Sequence, residues 1–272
     1  MHALRHKYPG PHTQQAEACD RLGAQEETPD MASSTVVSQL ASTGVLRAGI
    51  NLSNFLLVTG RTASGDPVGV SPDMAAAIAA DLGVPLRLVP YKSPGELADA
   101  AGTDAWDIGL IGAEPARAEK IAFTPAYVEI EATYLVPAGS PLRSVDEVDR
   151  PGVRIAVAAR SAYDLWLERN IHQATLMRAT GLDAAYDLFV AQGLEAMAGL
   201  KPRLLTDVEK LPGARILPGR FTAVQQAVGT ARTNVEATAY LRDFVERLKA
   251  SGHVAGLIAR HKVVGLSVAP AA

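Results

Sequence analysis

Short runs of Val, Ile and Leu alternate with Ala-rich stretches of helical spacing between residues 45 and 111. This alternation restricts the fold more than any single motif does. Residues 45–50 read as a strand, followed by a loop that holds Asn51 and Asn54 and by a turn at Gly65, Asp66 and Pro67. Ser71 as N-cap and Pro72 at the first helical position then open a helix. Met74, Ile78 and Leu82 fall four apart on one face of it, and Gly83 ends it. Residues 86–89 form a second strand. Ser93, Pro94 and Glu96 make a capping box with a proline at its start, so another helix follows. Residues 107–111 are a third, buried strand. A β-α-β-α-β series needs parallel strands with right-handed crossovers, so the chain is α/β.

A second unit of the same kind follows a strand at 133–137 and a turn at Ala138, Gly139, Ser140 and Pro141. Residues 153–158 are a strand, and Ser161 to the acid at Asp164 is a capping box that opens a helix reaching about residue 170. A helix at 183–192 is closed by Gly193, and Thr206 caps one more short helix. Residues 222–229 read as a strand that returns to the first unit. Helices at 235–250, with Leu241, Phe244, Val245 and Leu248 at helical spacing, and at 254–261 end the chain. The expected architecture is two Rossmann-like lobes joined by two hinge strands. Lobe one takes 44–137 plus 224–272, and lobe two takes 138–223. Residues 1–43, polar and without period, are expected to be disordered or loosely docked. Two crossings make a hinge, and ligands favour the cleft at such a boundary.

Composition removes several function classes. The net charge is −3, with no basic excess to neutralise phosphates, so no nucleic-acid partner is expected. One cysteine, Cys19, offers neither an internal disulfide nor a thiolate metal site. The six histidines show no ligand spacing, and His2, His6 and His12 lie at the N-terminus, so no metal or cofactor is expected. No run of 18 apolar residues marks a transmembrane helix. Residues 1–43 hold no apolar signal core, also when read from Met31 as an alternative start, so the chain as encoded is expected in the cytoplasm.

Three segments carry a family likeness: GDPVGVSPDMAAAIAADLG at 65–83, with an acid at Asp73, PARAEKIAFTPAY at 115–127, and VDEVDRPGVRIAV at 145–157. In order and spacing they resemble the family 3 extracellular solute-binding proteins, of the type II periplasmic-binding fold, over about residues 44–262. The resemblance implies an amino-acid-type substrate-binding protein of an ABC transporter. It also implies a periplasmic location and a permease partner, and the chain is expected to be a monomer. It assigns Arg117 to a bidentate clamp on a ligand carboxylate, a task suited to guanidinium geometry. The alternative is a surface arginine paired with Glu114 or Glu119.

Gly112 and Ala113 end the third strand, where open α/β sheets bind ligands and where free N–H groups can hold an anion. Ser161 stands at a helix N-terminus, with the same capacity, or serves as a cap alone. Arg160 occupies a position where the family often has glycine, and is expected either to face the cleft as a second cation or to be solvated. The acid that holds an amino-acid ammonium in the family is replaced by Leu200 or Lys201, and Glu195 matches an earlier structural acid. An unpaired ammonium is costly to desolvate, so the expected ligand is a small anionic metabolite: a carboxylate, keto acid or dicarboxylate rather than an α-amino acid. Asn51 and Asn54 offer amides to a polar ligand or to their own loop. Phe55, Tyr127, Tyr134, Trp106 and Trp166 read as packing residues.

Capture without chemistry is the leading expectation. Proteins similar to this family dehydrate cyclohexadienyl acids, which needs a general acid; Glu114 beside Arg117 is the candidate, but flanking arginines favour its ionised form. A cytoplasmic effector-binding regulator akin to LysR-type effector domains is the third reading, although no helix-turn-helix precedes Gly44.

Overall fold

A computed structural model describes residues 32–272, which form one compact unit. The elements run α1 (Ser34–Leu40), β1 (Leu46–Asn51), β2 (Gly60–Arg61), β3 (Pro67–Val68), α2 (Val70–Asp81), β4 (Leu86–Tyr91), α3 (Pro94–Asp99), β5 (Ile108–Gly112), α4 (Pro115–Ala118), β6 (Ile121–Phe123) and β7 (Val128–Val136). Then come β8 (Arg154–Ala158), α5 (Ala162–Asn170), β9 (Thr175–Ala179), α6 (Leu182–Ala191), β10 (Ala196–Leu200), α7 (Lys201–Val208), β11 (Arg215–Ile216), β12 (Thr222–Ala231), α8 (Val235–Ala250), α9 (His253–Arg260) and β13 (Ser267–Val268).

The sheet explains the two lobes. In one half the order is β4-β1-β5-β12, with β6 against the far part of β12; in the other it is β9-β8-β10-β7, with β11 against β7. Each half therefore has the same plan: three parallel strands, then an antiparallel strand that arrives from the other half. The two arriving strands, β12 and β7, pair with each other from Thr222↔Ala132 to Gln226↔Val128 and link the two halves. This is the type II periplasmic-binding architecture.

A matched pair of arginines underlines the repeat. The backbone N–H and Nε of Arg47, on the first strand of one half, donate to Asp107 Oδ2 at 2.7 and 3.0 Å. The same two groups of Arg154, on the first strand of the other half, donate to Glu195 Oε2 at 2.8 and 2.9 Å. Each acid precedes the third strand of its half, so one side chain ties the N-terminal ends of both strands. Glu195 thus fills the structural position the sequence implied. The Arg47–Asp107 pair is buried, and removing one partner of such a pair costs about 3–5 kcal/mol.

Three local expectations change. The chain is ordered well before residue 44: α1 is capped by Ser33, whose side chain accepts from Val36 N–H, and it buries Val36 and Leu40. Its Gln39 accepts from the backbone N–H of Ala237 at 2.9 Å, which fixes α1 to the start of α8. Two apolar residues four apart suffice to dock a helix of seven residues, a pattern too short to stand out of a polar stretch. The rest of the expected tail, residues 1–31, lies outside the described residues.

Ser71 is not the cap of α2. Gly69 holds that place at φ 152°, and a Cβ there would meet Leu57 O at 2.3 Å. Ser71 is buried, with its hydroxyl 2.9 Å from that of Tyr127. Finally, α7 begins at Lys201 rather than near Thr206, because Pro202 starts helices as readily as it breaks them. Tyr127, Tyr134 and Trp106 are core as expected, whereas Trp166 is only half-buried against Phe221.

Candidate functional site

A cavity of about 50 Å³ lies between the halves. One wall is the loop after β1 (Asn51, Ser53, Asn54), the start of α3 at Pro94, the end of β5 at Gly112, and Arg117 of α4. The opposite wall is the first turn of α5 (Ser161, Ala162, Tyr163), Leu182 and Leu200, and the floor is the crossing strand β12 at Val224 and Gln226. The parallel strands of both halves thus point their carboxyl ends at one hollow, as open α/β sheets do.

Arg117 is buried here, not at the surface. Nη1 donates to Gly112 O at 2.7 Å, and Nη2 donates to Arg160 O, in the other half, at 2.9 Å. Among the described residues no carboxylate lies within ion-pair distance of it. Glu114, the expected alternative partner, is bound instead by Arg169 Nη2 at 2.6 Å. Burial therefore pushes the Arg117 guanidinium down to about 10, against the partial support of the Glu114 charge and with the opposition of Arg160.

Ser161 and Gly112 also border the cavity. Ser161 Oγ accepts from Asp164 N–H at 3.1 Å, so it caps α5. A Cβ on Gly112 would come within 2.9 Å of Ala162 Cβ, so glycine permits the two halves to meet at this point. Asn51 and Asn54 line the cavity but spend their carbonyl oxygens on their own loop: Asn51 Oδ1 accepts from Ser53 N–H and Oγ, and Asn54 Oδ1 from Leu56 N–H.

Three candidates are not brought to the cavity. Arg160, expected either as a second cation facing the cleft or as a solvated side chain, takes the second course. Its guanidinium turns outward and grips Asp99 at 2.6 and 2.9 Å, which avoids desolvating a like charge beside Arg117; only its carbonyl faces inward. Lys201 Nζ turns to Glu131 of β7 at 2.7 Å, and Leu200 lines the cavity in its place. The Ala113 N–H is not free, since it donates to Gln225 O at 2.7 Å.

Among the lining residues that escaped the sequence reading are Gln226 and Tyr163. Gln226 is 5 % exposed, and its side chain has no hydrogen-bond partner among the described residues. The returning strand was legible, but alternation along it does not say whether Gln225 or Gln226 faces the hollow. Tyr163 was hidden inside a capping box; it is buried, and desolvation pushes its phenol up to about 12.

Comparison with known proteins supports the same architecture. No curated protein sequence matches. Among solved structures, an ancestral amino-acid-binding protein described as a precursor of cyclohexadienyl dehydratase aligns with a TM-score of 0.66 at 20 % identity, covering 82 % of this chain and 98 % of that one. A binding component of an ABC transporter from Wolinella succinogenes, complexed with lysine, gives 0.65 at 19 % identity over 80 % and 95 %. A substrate-binding protein of an amino-acid ABC transporter from Streptococcus pneumoniae, bound to L-arginine, gives 0.66 at 19 % over 86 % and 99 %. Identities this low establish a shared fold and nothing finer. The model for bacterial extracellular solute-binding proteins, family 3, matches residues 50–263, and with the interlobe cavity and paired half-sheets this places the chain in that family.

Proposed function

We propose that this protein captures a small monocarboxylate between its lobes and delivers it to a membrane transporter of the ABC type. The observation that carries this reading is the Arg117 guanidinium, buried at the cavity wall with only carbonyl oxygens as described partners. A carboxylate on that buried group gains a charge-assisted bond, of the stronger kind. Arg160 and Lys201 have carboxylate partners elsewhere, which leaves one cation for one anionic group and disfavours a dicarboxylate.

Two further features narrow the solute. No Asp or Glu is among the residues lining the cavity, so an α-ammonium would be buried without a counter-charge. The hollow, walled by both halves, suits a small organic acid such as acetate, glycolate or pyruvate. Gln226, unpartnered on the floor, suits a carbonyl or hydroxyl on such an acid. The solved proteins seen with lysine and L-arginine hold cationic side chains, which this lining gives no acid to meet.

Capture without turnover is the supported form of this reading. Glu114 faces Arg169 rather than the hollow, and the Tyr163 phenol holds its proton too firmly to serve as an acid near neutrality. Thermal-shift and calorimetric titration of refolded, solute-free protein tests the proposal. Acetate, glycolate, lactate and pyruvate are expected to stabilise it more than succinate, arginine or lysine do. A response to arginine or lysine with none to the short acids overturns it, as does consumption of prephenate by the pure protein.

A further inference from the structure

The two halves touch through charged groups of their own. Arg160, at the mouth of the second half, holds Asp99 of α3 at 2.6 and 2.9 Å. Its Nη2 also reaches Gly95 O at 3.4 Å, where a Cβ would lie only 2.9 Å from the Arg160 Cζ. On the other side of Arg117, Arg169 of α5 holds Glu114 at 2.6 Å. Between them Arg117 donates to the Arg160 carbonyl. These three contacts join α3, the β5–α4 connection and α4 to the turn between β8 and α5 and to the last turn of α5, so each of them must break for the cleft to open.

Arg160 is built for this place. It sits at φ 60°, a left-handed conformation that a residue other than glycine adopts at a cost. Its N–H donates to Asp164 Oδ2 at 2.7 Å, which holds the turn. That turn sends the carbonyl towards Arg117 and the side chain across the rim to Asp99. A bulky residue is thus kept in a backbone shape that suits glycine, and what it gains there is the cross-cleft contact.

We infer that Arg160–Asp99 and Arg169–Glu114 form a latch that keeps the lobes closed before any solute arrives. The outer pair is open to solvent, with side chains 57 % and 63 % exposed, and so is screened by salt. The inner pair is better protected, with Glu114 at 8 % exposure. Lys120 adds positive charge near Asp99, and Arg117 lies close enough to Glu114 to feel its field. The inference does not depend on which solute is bound.

Small-angle X-ray scattering of the full chain, unfolded, dialysed and refolded to remove any co-purified solute, tests it. Wild type is compared with the Arg160→Gly/Arg169→Gln double variant and with Asp183→Asn, which breaks an ion pair of similar length within one half. Arg160→Gly relieves the left-handed backbone, so loss of fold is not the expected effect, and far-UV circular dichroism checks it. At about 0.05 M salt the double variant is expected to show a larger radius of gyration than wild type, with Asp183→Asn unchanged. At about 1 M salt, where the screening length falls to about 3 Å, wild type is expected to move towards the double variant. Equal radii for wild type and the double variant at low salt overturn the latch, as does an equal rise in Asp183→Asn. Amide exchange at residues 161–163 provides a second readout, expected to quicken in the double variant alone.

Discussion

Replacing Arg117 with methionine separates the cost of this residue to the fold from its value to the solute. The guanidinium is buried without a carboxylate, and its depression from the ordinary arginine range to about 10 means that the folded protein disfavours the charged form. At about 1.4 kcal/mol per tenfold, that is a penalty of about 3 kcal/mol in the solute-free protein. Because the folded value lies below the unfolded one, the penalty is complete at every pH below about 10 and fades only as the group deprotonates above it. Methionine fills a similar volume and removes the penalty. It also leaves Gly112 O short of a donor, which costs about 1–3 kcal/mol, while Arg160 is exposed and can turn its carbonyl to water. The balance is a solute-free Arg117→Met protein as stable as wild type or up to about 2 kcal/mol more stable.

Binding moves the other way. Losing one partner of a desolvated, hydrogen-bonded charge pair costs about 3 kcal/mol, or about 150-fold in Kd for pyruvate. Urea unfolding at about pH 6 and about pH 9 reads the first effect, with the same difference expected at both. Calorimetry with pyruvate reads the second. A variant that is several kcal/mol less stable yet binds pyruvate as wild type does would refute the argument, since the guanidinium would then serve the fold rather than the solute.

Three further outcomes follow from other parts of the molecule. Leu40→Ala, at a fully buried position in α1, is expected to cost about 2–5 kcal/mol in denaturant unfolding; a loss below about 0.5 kcal/mol would mean that α1 does not dock on α8. Gly229→Ala places a methyl 2.3 Å from Ile121 Cγ2, between β12 and β6, and is expected to cost about 1–3 kcal/mol with a lowered Tm. Arg154 holds the Glu195 carboxyl below its ordinary range, so the stability this pair supplies is complete above the unfolded Glu value and is lost as pH falls through the lower folded value. Acid unfolding of Arg154→Gln is expected to lose that part of the pH dependence, and an unchanged acid limb would sink the assignment.

The architecture was legible because periodicity and punctuation act locally. The apolar runs at β1, β4, β5 and β8, the capping boxes at Ser93 and Ser161, and Gly83 and Gly193 as stops each act within a few residues, and the order of these elements leaves few topologies. Arg117 was legible through a motif. The sequence was weaker wherever a choice depended on partners distant along the chain. Glycine at 69 displaced Ser71 as cap because Leu57, twelve positions back, lies against that turn. Arg160 left the cleft because Asp99, sixty-one positions away, offers it both carboxylate oxygens at the solvent-exposed rim.

What the chain's own order of residues determined, then, was two α/β halves, a double crossing and one arginine at their border. Tertiary structure alone decided which cations keep their charge for a solute. A guanidinium or ammonium takes whichever carboxylate costs least to reach, and for Arg160 and Lys201 those acids sit on elements that only folding brings near. Arg117 ends without one because its helix turns it into the hollow, where the nearest acid, Glu114, is already held by Arg169 from the opposite half.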